Sequence, residues 1–172
     1  MGRIFHLCLP TMAIFVYVCA LIFEIQHPKQ SDMKPYVHHV KYYETDKMGV
    51  AHHSNYVRWM EEARVDFLDQ IGFGYRKLEE DGIISPVIAV ECEYKAPTRF
   101  DDYVEIAVEI EEFRGVRLAI RYTMRKMPDG ELVMTGRSRH CFVDLNGKPI
   151  ILERNFPDFA NKLKELLNAS SR

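Results

Sequence analysis

The chain has 172 residues, enough for one domain with a hydrophobic core. Its formal net charge of −2, with 28% of residues charged, lacks the basic footprint of a nucleic-acid binder. The four cysteines, Cys8, Cys19, Cys92 and Cys141, form no CxxC pair; this argues against a zinc site or a disulfide framework and for buried free thiols.

From Ile4 to Phe23 there is no Asp, Glu, Lys or Arg, with Arg3 before the stretch and Glu24 after it. It is long enough to cross a bilayer or to serve as the apolar part of a signal. Pro10 interrupts it, and no small-x-small cleavage pattern follows. Three readings stay open: a membrane anchor, an uncleaved signal, or an upstream extension ahead of a domain that begins at Met33. Residues 1–32 are therefore set apart from a domain expected over 33–172.

Tyr36 to Tyr43 alternates as a first strand. His38 and His39 fall on opposite faces of such a strand and cannot share one ion. His52 and His53 could approach an ion, but no third ligand is placed near them, so no metal is expected. Asp46 sits in the turn that follows, and Gly49 loosens the backbone. A polar cluster, His52 to Asn55, then opens a helix, with Ser54 or Asn55 as the N-cap and an end near Ile71, before Gly72 and Gly74. Tyr56, Met60, Ala63, Phe67 and Ile71 follow helical spacing, joined by Trp59 and Leu68. Arg58, Glu61, Glu62, Asp66 and Asp69 fill the remaining face, with Arg58 placed to pair with Glu62 in solvent. A helix start leaves about four backbone N–H groups unpaired and a partial positive charge. A carboxylate beside such donors is the minimum equipment for acyl-group hydrolysis. On spacing alone, Asp46 also reads as a turn former or a cap, the commoner use of such a residue.

A helical turn over Tyr75 to Asp81 closes at Gly82. Four strand-like runs follow: Ser85 to Lys95, Tyr103 to Glu112, Val116 to Lys126 and Leu132 to Leu145. Arg114-Gly115, Pro128-Asp129-Gly130 and Asn146-Gly147 mark tight turns between antiparallel neighbours. The acidic face of the second run can lie across from the basic face of the third. Pro157 opens a last helix with Phe159, Leu163, Leu166 and Leu167 inward. This order predicts an α+β architecture with a long helix on one face of a curved sheet. No GxGxxG, GxxxxGK or Gly-x-Ser-x-Gly occurs, which disfavours nucleotide-binding α/β folds and serine α/β-hydrolases.

Thr45, Asp46, Gly49, Val50, Ala51, His53 and Tyr56 together resemble the active-site motif of the 4-hydroxybenzoyl-CoA thioesterase family. That motif runs Thr/Cys-Asp, two variable residues, Gly, Val/Ile, a small or apolar residue, one variable residue, His or an aromatic, two variable residues, Tyr/Phe. A downstream Glu-x-x-Arg, Glu61 to Arg64 or its neighbour Glu62, adds to the likeness, which extends more loosely from Lys34 to Leu167. The resemblance implies a hotdog fold, a curved antiparallel five-stranded sheet wrapped around one long helix. It implies acyl-CoA hydrolysis to free acid and CoA without a cofactor. Asp46 becomes the catalytic carboxylate, as nucleophile or general base, and the backbone N–H of His53 the oxyanion donor. One branch of hotdog enzymes uses a helix carboxylate instead, the role Glu61 or Glu62 would then fill.

Tyr43, Gly49, Val50, Asn55 and Tyr56 become substrate-binding candidates, with Tyr56 equally a core residue. Lys95 and Arg99 are placed to meet the CoA phosphates. A homodimer or homotetramer is implied, and a cytoplasmic setting, or a membrane tether if residues 4–23 are an anchor. The alternative functions are a non-catalytic acyl-CoA-binding module and a hydratase or dehydratase.

Overall fold

The computed structural model describes residues 33–170, so the apolar stretch 4–23 and its three readings lie outside the described residues. Within them, charge alternation has become strand register. Strands β1 (Tyr36–His39), β2 (Val87–Tyr94), β3 (Tyr103–Arg114), β4 (Arg117–Met127) and β5 (Glu131–Cys141) form one antiparallel sheet in the order β1-β3-β4-β5-β2. Glu109 stands opposite Arg121 and Glu105 opposite Arg125, as the sign pattern required. Glu111 bridges two strands, with its carboxylate 2.7 Å from Arg121 and 2.5 Å from Arg137.

The other face of the sheet is apolar. Val104, Ile106, Ile110, Ile120, Tyr122, Met124 and Met134 are buried there under helix α1 (His53–Gln70), which presents Tyr56, Trp59, Met60, Ala63, Phe67 and Leu68. Each such side chain contributes about 1.5–3 kcal/mol on leaving water. With 18 residues, α1 is about 27 Å long, enough to lie across the curved sheet. Helix α2 (Tyr75–Glu80), a single turn α3 (Leu152–Asn155) and helix α4 (Pro157–Ser170) follow. Phe159, Ala160, Leu163 and Leu166 close the core from the α4 side, with Phe159 against Phe73 and Phe142. Cys92 and Cys141 are free, half-buried thiols. Among the described residues no helix is long and apolar enough to cross a membrane.

Three local expectations are corrected. The first strand ends at His39 rather than Tyr43, because the chain tightens into a 3₁₀ turn over Tyr42–Glu44 that its own Glu44 secures. The N-cap of α1 is His52, not Ser54 or Asn55; its ring Nδ1 accepts the Ser54 N–H, while the Asn55 side chain is drawn away to the Glu44 carbonyl. Glu62 pairs with Tyr36 and His38 of β1 rather than with Arg58.

Candidate active site

Asp46 is held by its own turn. Its N–H donates to the Val50 carbonyl and its carbonyl accepts the Gly49 N–H, both at 2.9 Å. One carboxylate oxygen, Oδ1, accepts the Met48 N–H at 2.8 Å. Gly49 takes a φ of +74°, a conformation costly for any residue with a Cβ, so the turn depends on glycine there. A bridge between Thr45 and Ala51 closes the base of this small hairpin, and the Ala51 N–H reaches the Thr98 carbonyl at 2.8 Å. The turn is thereby tied to the loop after β2.

Helix α1 begins two residues beyond Ala51. The N–H of His52 donates to the Glu44 carbonyl at 2.8 Å and that of Asn55 to the His52 carbonyl at 2.9 Å. The N–H of His53 has no partner among the described residues. It is the free donor at the positive end of an 18-residue helix. Its carbonyl accepts the Tyr94 hydroxyl at 3.1 Å, which ties the helix start to the end of β2.

These pieces surround an open cleft of about 360 Å³ lined by Asp46, Val50, His53 and Tyr56 on one side and Tyr94 and Lys95 on the other. Tyr56 is buried, stacks edge-on to Tyr94 at 5.3 Å and shares a hydrogen bond with the buried Thr98 hydroxyl at 2.9 Å. It is thus both a core residue and a cleft wall. The imidazoles of His52 and His53 lie against each other, with ring centroids 4.1 Å apart and planes tilted by 36°. Cys92 lies next to Tyr94 on the same face of β2, but burial pushes its thiol pKa up, and a protonated thiol is a poor nucleophile beside a carboxylate.

The remaining sequence candidates fall in different places. Gly49 lies behind the cleft, its carbonyl 3.4 Å from an Arg99 guanidinium nitrogen. Lys95 is at the rim, paired with Glu93 at 2.7 Å. Tyr43 is 80% exposed and does not line the cleft. Asn55 is buried, with its amide donating to the Glu44 carbonyl at 2.7 Å, so it faces the turn rather than the cleft.

One residue next to the site, Glu44, is absent from the sequence candidates. Glu44 is buried, and its carboxylate accepts from Lys41 N–H, His38 Nε2 and Trp59 Nε1. Burial alone would raise its pKa, yet the donors from Lys41, His38 and Trp59 outweigh it and hold the carboxyl below its ordinary range. The one sequence cue is its place three residues after Lys41, the spacing at which a glutamate reaches back to a helix-entry N–H.

A carboxylate and an unpaired helix N-terminal N–H, carried by two residues that line one cleft, are the groups that acyl hydrolysis needs: one to attack a carbonyl or activate water, the other to stabilise the oxyanion. Comparison with known proteins identifies the family. The profile of a family described as the thioesterase-like superfamily matches residues 40–167. YneP of Bacillus subtilis (strain 168), provisionally named an acyl-CoA thioesterase, is 36% identical over 121 residues, covering 70% of this chain and 87% of YneP. The acyl-CoA thioester hydrolase YbgC of Escherichia coli O6:H1 is 38% identical over 79 residues, 46% of this chain and 59% of YbgC. The crystal structure of a DHNA-CoA thioesterase from Staphylococcus aureus superposes with a TM-score of 0.76 at 33% identity, covering 81% of this chain and 95% of that one. The chain therefore belongs to the thioesterase-like superfamily, and it is a thioester hydrolase built on the hotdog fold.

Proposed function

We propose that the protein hydrolyses acyl-CoA thioesters to the free acid and CoA, with Asp46 as the reacting carboxylate and the His53 N–H as the oxyanion donor. The observation that carries this reading is that Asp46 and His53 line the same cleft while the His53 N–H has no partner among the described residues. The names of the E. coli and S. aureus relatives support CoA as the thiol.

Two routes fit this arrangement. In one, Asp46 removes a proton from water, the hydroxide adds to the carbonyl, and the C–S bond breaks with the proton passing to the departing thiolate. In the other, a carboxylate oxygen of Asp46 attacks, CoA thiolate leaves, and water cleaves the mixed anhydride, restoring Asp46. In both, charge grows on the carbonyl oxygen, where the His53 N–H and the helix dipole stabilise it. Tyr56 and Val50 shape the space for the acyl group; Lys95 at the rim meets CoA phosphates, and Arg99, held beside Gly49 outside the cleft lining, is the second phosphate partner. The assembly this reading implies is a homodimer or a homotetramer.

The test is free-thiol release from a panel of aromatic, short-chain and medium-chain acyl-CoAs by the protein and its Asp46→Asn variant. We expect the variant to lose a factor on the order of 10²–10⁴. A single turnover in ¹⁸O-water separates the routes, since only the anhydride route places label in Asp46. A folded protein that releases thiol from none of the panel would refute the proposal and leave an acyl-CoA-binding module in its place.

A further inference from the structure

The scheme above gives no part to Glu44, although it is one of few buried charged side chains and stands two residues from Asp46. Its neighbours Tyr42 and Tyr43 are 76% and 80% exposed, whereas Glu44 is 5% exposed. The turn ahead of Asp46 is therefore anchored from the inside through this residue. Its carboxylate gathers donors from three places: the Lys41 N–H at 2.6 Å, His38 Nε2 of β1 at 2.9 Å and Trp59 Nε1 of α1 at 2.7 Å. Its carbonyl takes two more, the His52 N–H at 2.8 Å and the Asn55 amide at 2.7 Å. His38 is fixed in turn, stacked on Trp59 at 4.5 Å with Nδ1 facing Glu62 at 3.1 Å.

From this geometry we infer that Glu44 is the positioning residue of the site, setting the Asp46 turn and the His53 N–H in register with each other. The inference rests on the roles proposed for Asp46 and His53. One side of Glu44 leads in two residues to the carboxylate. The other, through its carbonyl, holds His52, the residue directly before the oxyanion donor. Both reacting groups are referred to the same anchor. Stability alone is a weak reason for such a residue, because a buried charged network often does no better than apolar packing of the same volume. Geometry is a stronger one, since a displacement of about 1 Å between reacting groups can cost on the order of 10² in rate.

The deciding variant is Glu44→Gln, which keeps the shape but replaces one acceptor oxygen with an NH₂ group that cannot accept from three donors. With the best acyl-CoA of the panel, we expect kcat to fall roughly tenfold or more and KM to move less than about threefold. Leu163→Ala, in the buried face of α4, is the control; it lowers Tm without changing kcat in the folded protein. Amide exchange provides a readout free of substrate. In Glu44→Gln, exchange at the His52 and Asp46 N–H groups accelerates about tenfold or more relative to the β3 and β4 amides.

The inference is overturned if Glu44→Gln keeps kcat within about twofold, if Leu163→Ala at an equal margin below its Tm loses as much, or if His52 and Asp46 exchange is unchanged. Should Glu44→Gln not fold, Trp59→Phe removes one donor while keeping a ring. It is expected to show a smaller loss of kcat at unchanged KM, on the order of threefold, and an unaltered kcat would sink the idea. Thiol release that depends on Asp46 but is indifferent to Glu44 defeats this inference alone. A wild-type protein that releases no thiol defeats the hydrolytic reading, and exchange then still decides whether Glu44 holds the turn.

Discussion

The hydroxyl of Tyr94, at the end of β2, donates to the carbonyl of His53 across 3.1 Å, joining the sheet edge to the first residue of α1. The same residue lines the cleft and carries an N–H without a partner among the described residues, so this bond helps fix the direction of that N–H. The Tyr94 phenol is raised above its ordinary pKa by burial and by the Cys92 thiol, which keeps it a donor across the physiological range. We predict that Tyr94→Phe lowers kcat for acyl-CoA hydrolysis about threefold to tenfold with a small effect on Tm, matching the loss of about 1 kcal/mol from one neutral hydrogen bond. The ring contact with Tyr56 survives the change. Thiol-release kinetics beside a thermal melt check it; unchanged turnover would remove Tyr94 from the site's support.

A second prediction concerns the backbone of the Asp46 turn. A Cβ at Gly49 would meet nothing closer than the Arg99 guanidinium at 3.7 Å, so there is room for a methyl group. The backbone is what forbids it, because φ is +74°. Gly49→Ala should therefore cost about 1–2 kcal/mol, a fall in Tm of roughly 2–8 °C. Activity should drop further than Tm alone explains, as Asp46 and Gly49 share the turn's hydrogen bond. Calorimetry and thiol release on the variant test both halves, and a Tm equal to wild type would show that the turn tolerates an L-residue.

Much of this arrangement could be read from local patterns. The 3.6-residue stripe from Tyr56 to Ile71 located α1, and the alternation of Glu105 and Glu109 against Arg121 and Arg125 gave the β3–β4 hairpin. What failed was where tertiary partners override local preference. Tyr36 to Tyr43 alternates well enough for a strand, but a buried glutamate five residues past His39 closes a turn instead. Arg58 and Glu62 have ideal helical spacing, yet His38 and Tyr36 offered Glu62 partners from a strand 24 and 26 residues away. Asn55 looked like a cap or a pocket residue, and the Glu44 carbonyl claims it. Thr98 and Tyr94 reach the site only through the fold, so no spacing rule connects them with Asp46.

Stability should depend on pH through a second buried cluster, on the far part of α1 from the site. His140 is 1% exposed and its Nε2 lies 2.7 Å from the Ser138 hydroxyl, which in turn meets Tyr122 at 3.0 Å. Arg64, buried on α1, reaches the Tyr122 hydroxyl at 3.4 Å. Burial, and after it the Arg64 charge, lower the His140 pKa to about 4, opposed only by the nearby Ser85 backbone. Because the folded pKa is depressed, the unfolded chain binds the proton first. His140 therefore leaves stability untouched above about pH 6.5 and removes it as pH falls from there toward 4, by up to about 1.4 kcal/mol per unit and about 3 kcal/mol in all. Urea unfolding at several pH values, for the protein and for His140→Gln, should show the gap between them shrinking as pH falls across that window. Parallel curves would mean that His140 protonates without penalty in the fold.

The last prediction concerns the edge of the sheet. Strand β2 bonds to β5 on one side and to no strand on the other among the described residues. Val87, Ile88, Val90 and Tyr94 are 46%, 54%, 40% and 47% exposed, an apolar row on an unpaired edge that a solitary chain would be expected to blunt with charge or proline. Antiparallel pairing of β2 with its symmetry mate in a C2 homodimer would satisfy the free N–H and C=O groups and cover the row at once. The same strand ends at Tyr94, with Lys95 next to it, and both line the cleft, so pairing there would bring the partner close to the candidate site. We predict that Val90→Lys shifts the protein to monomer in sedimentation velocity and lowers thiol release together with dimer content. A variant that stays dimeric would place the interface elsewhere; one that is monomeric with full turnover would show that each site works alone.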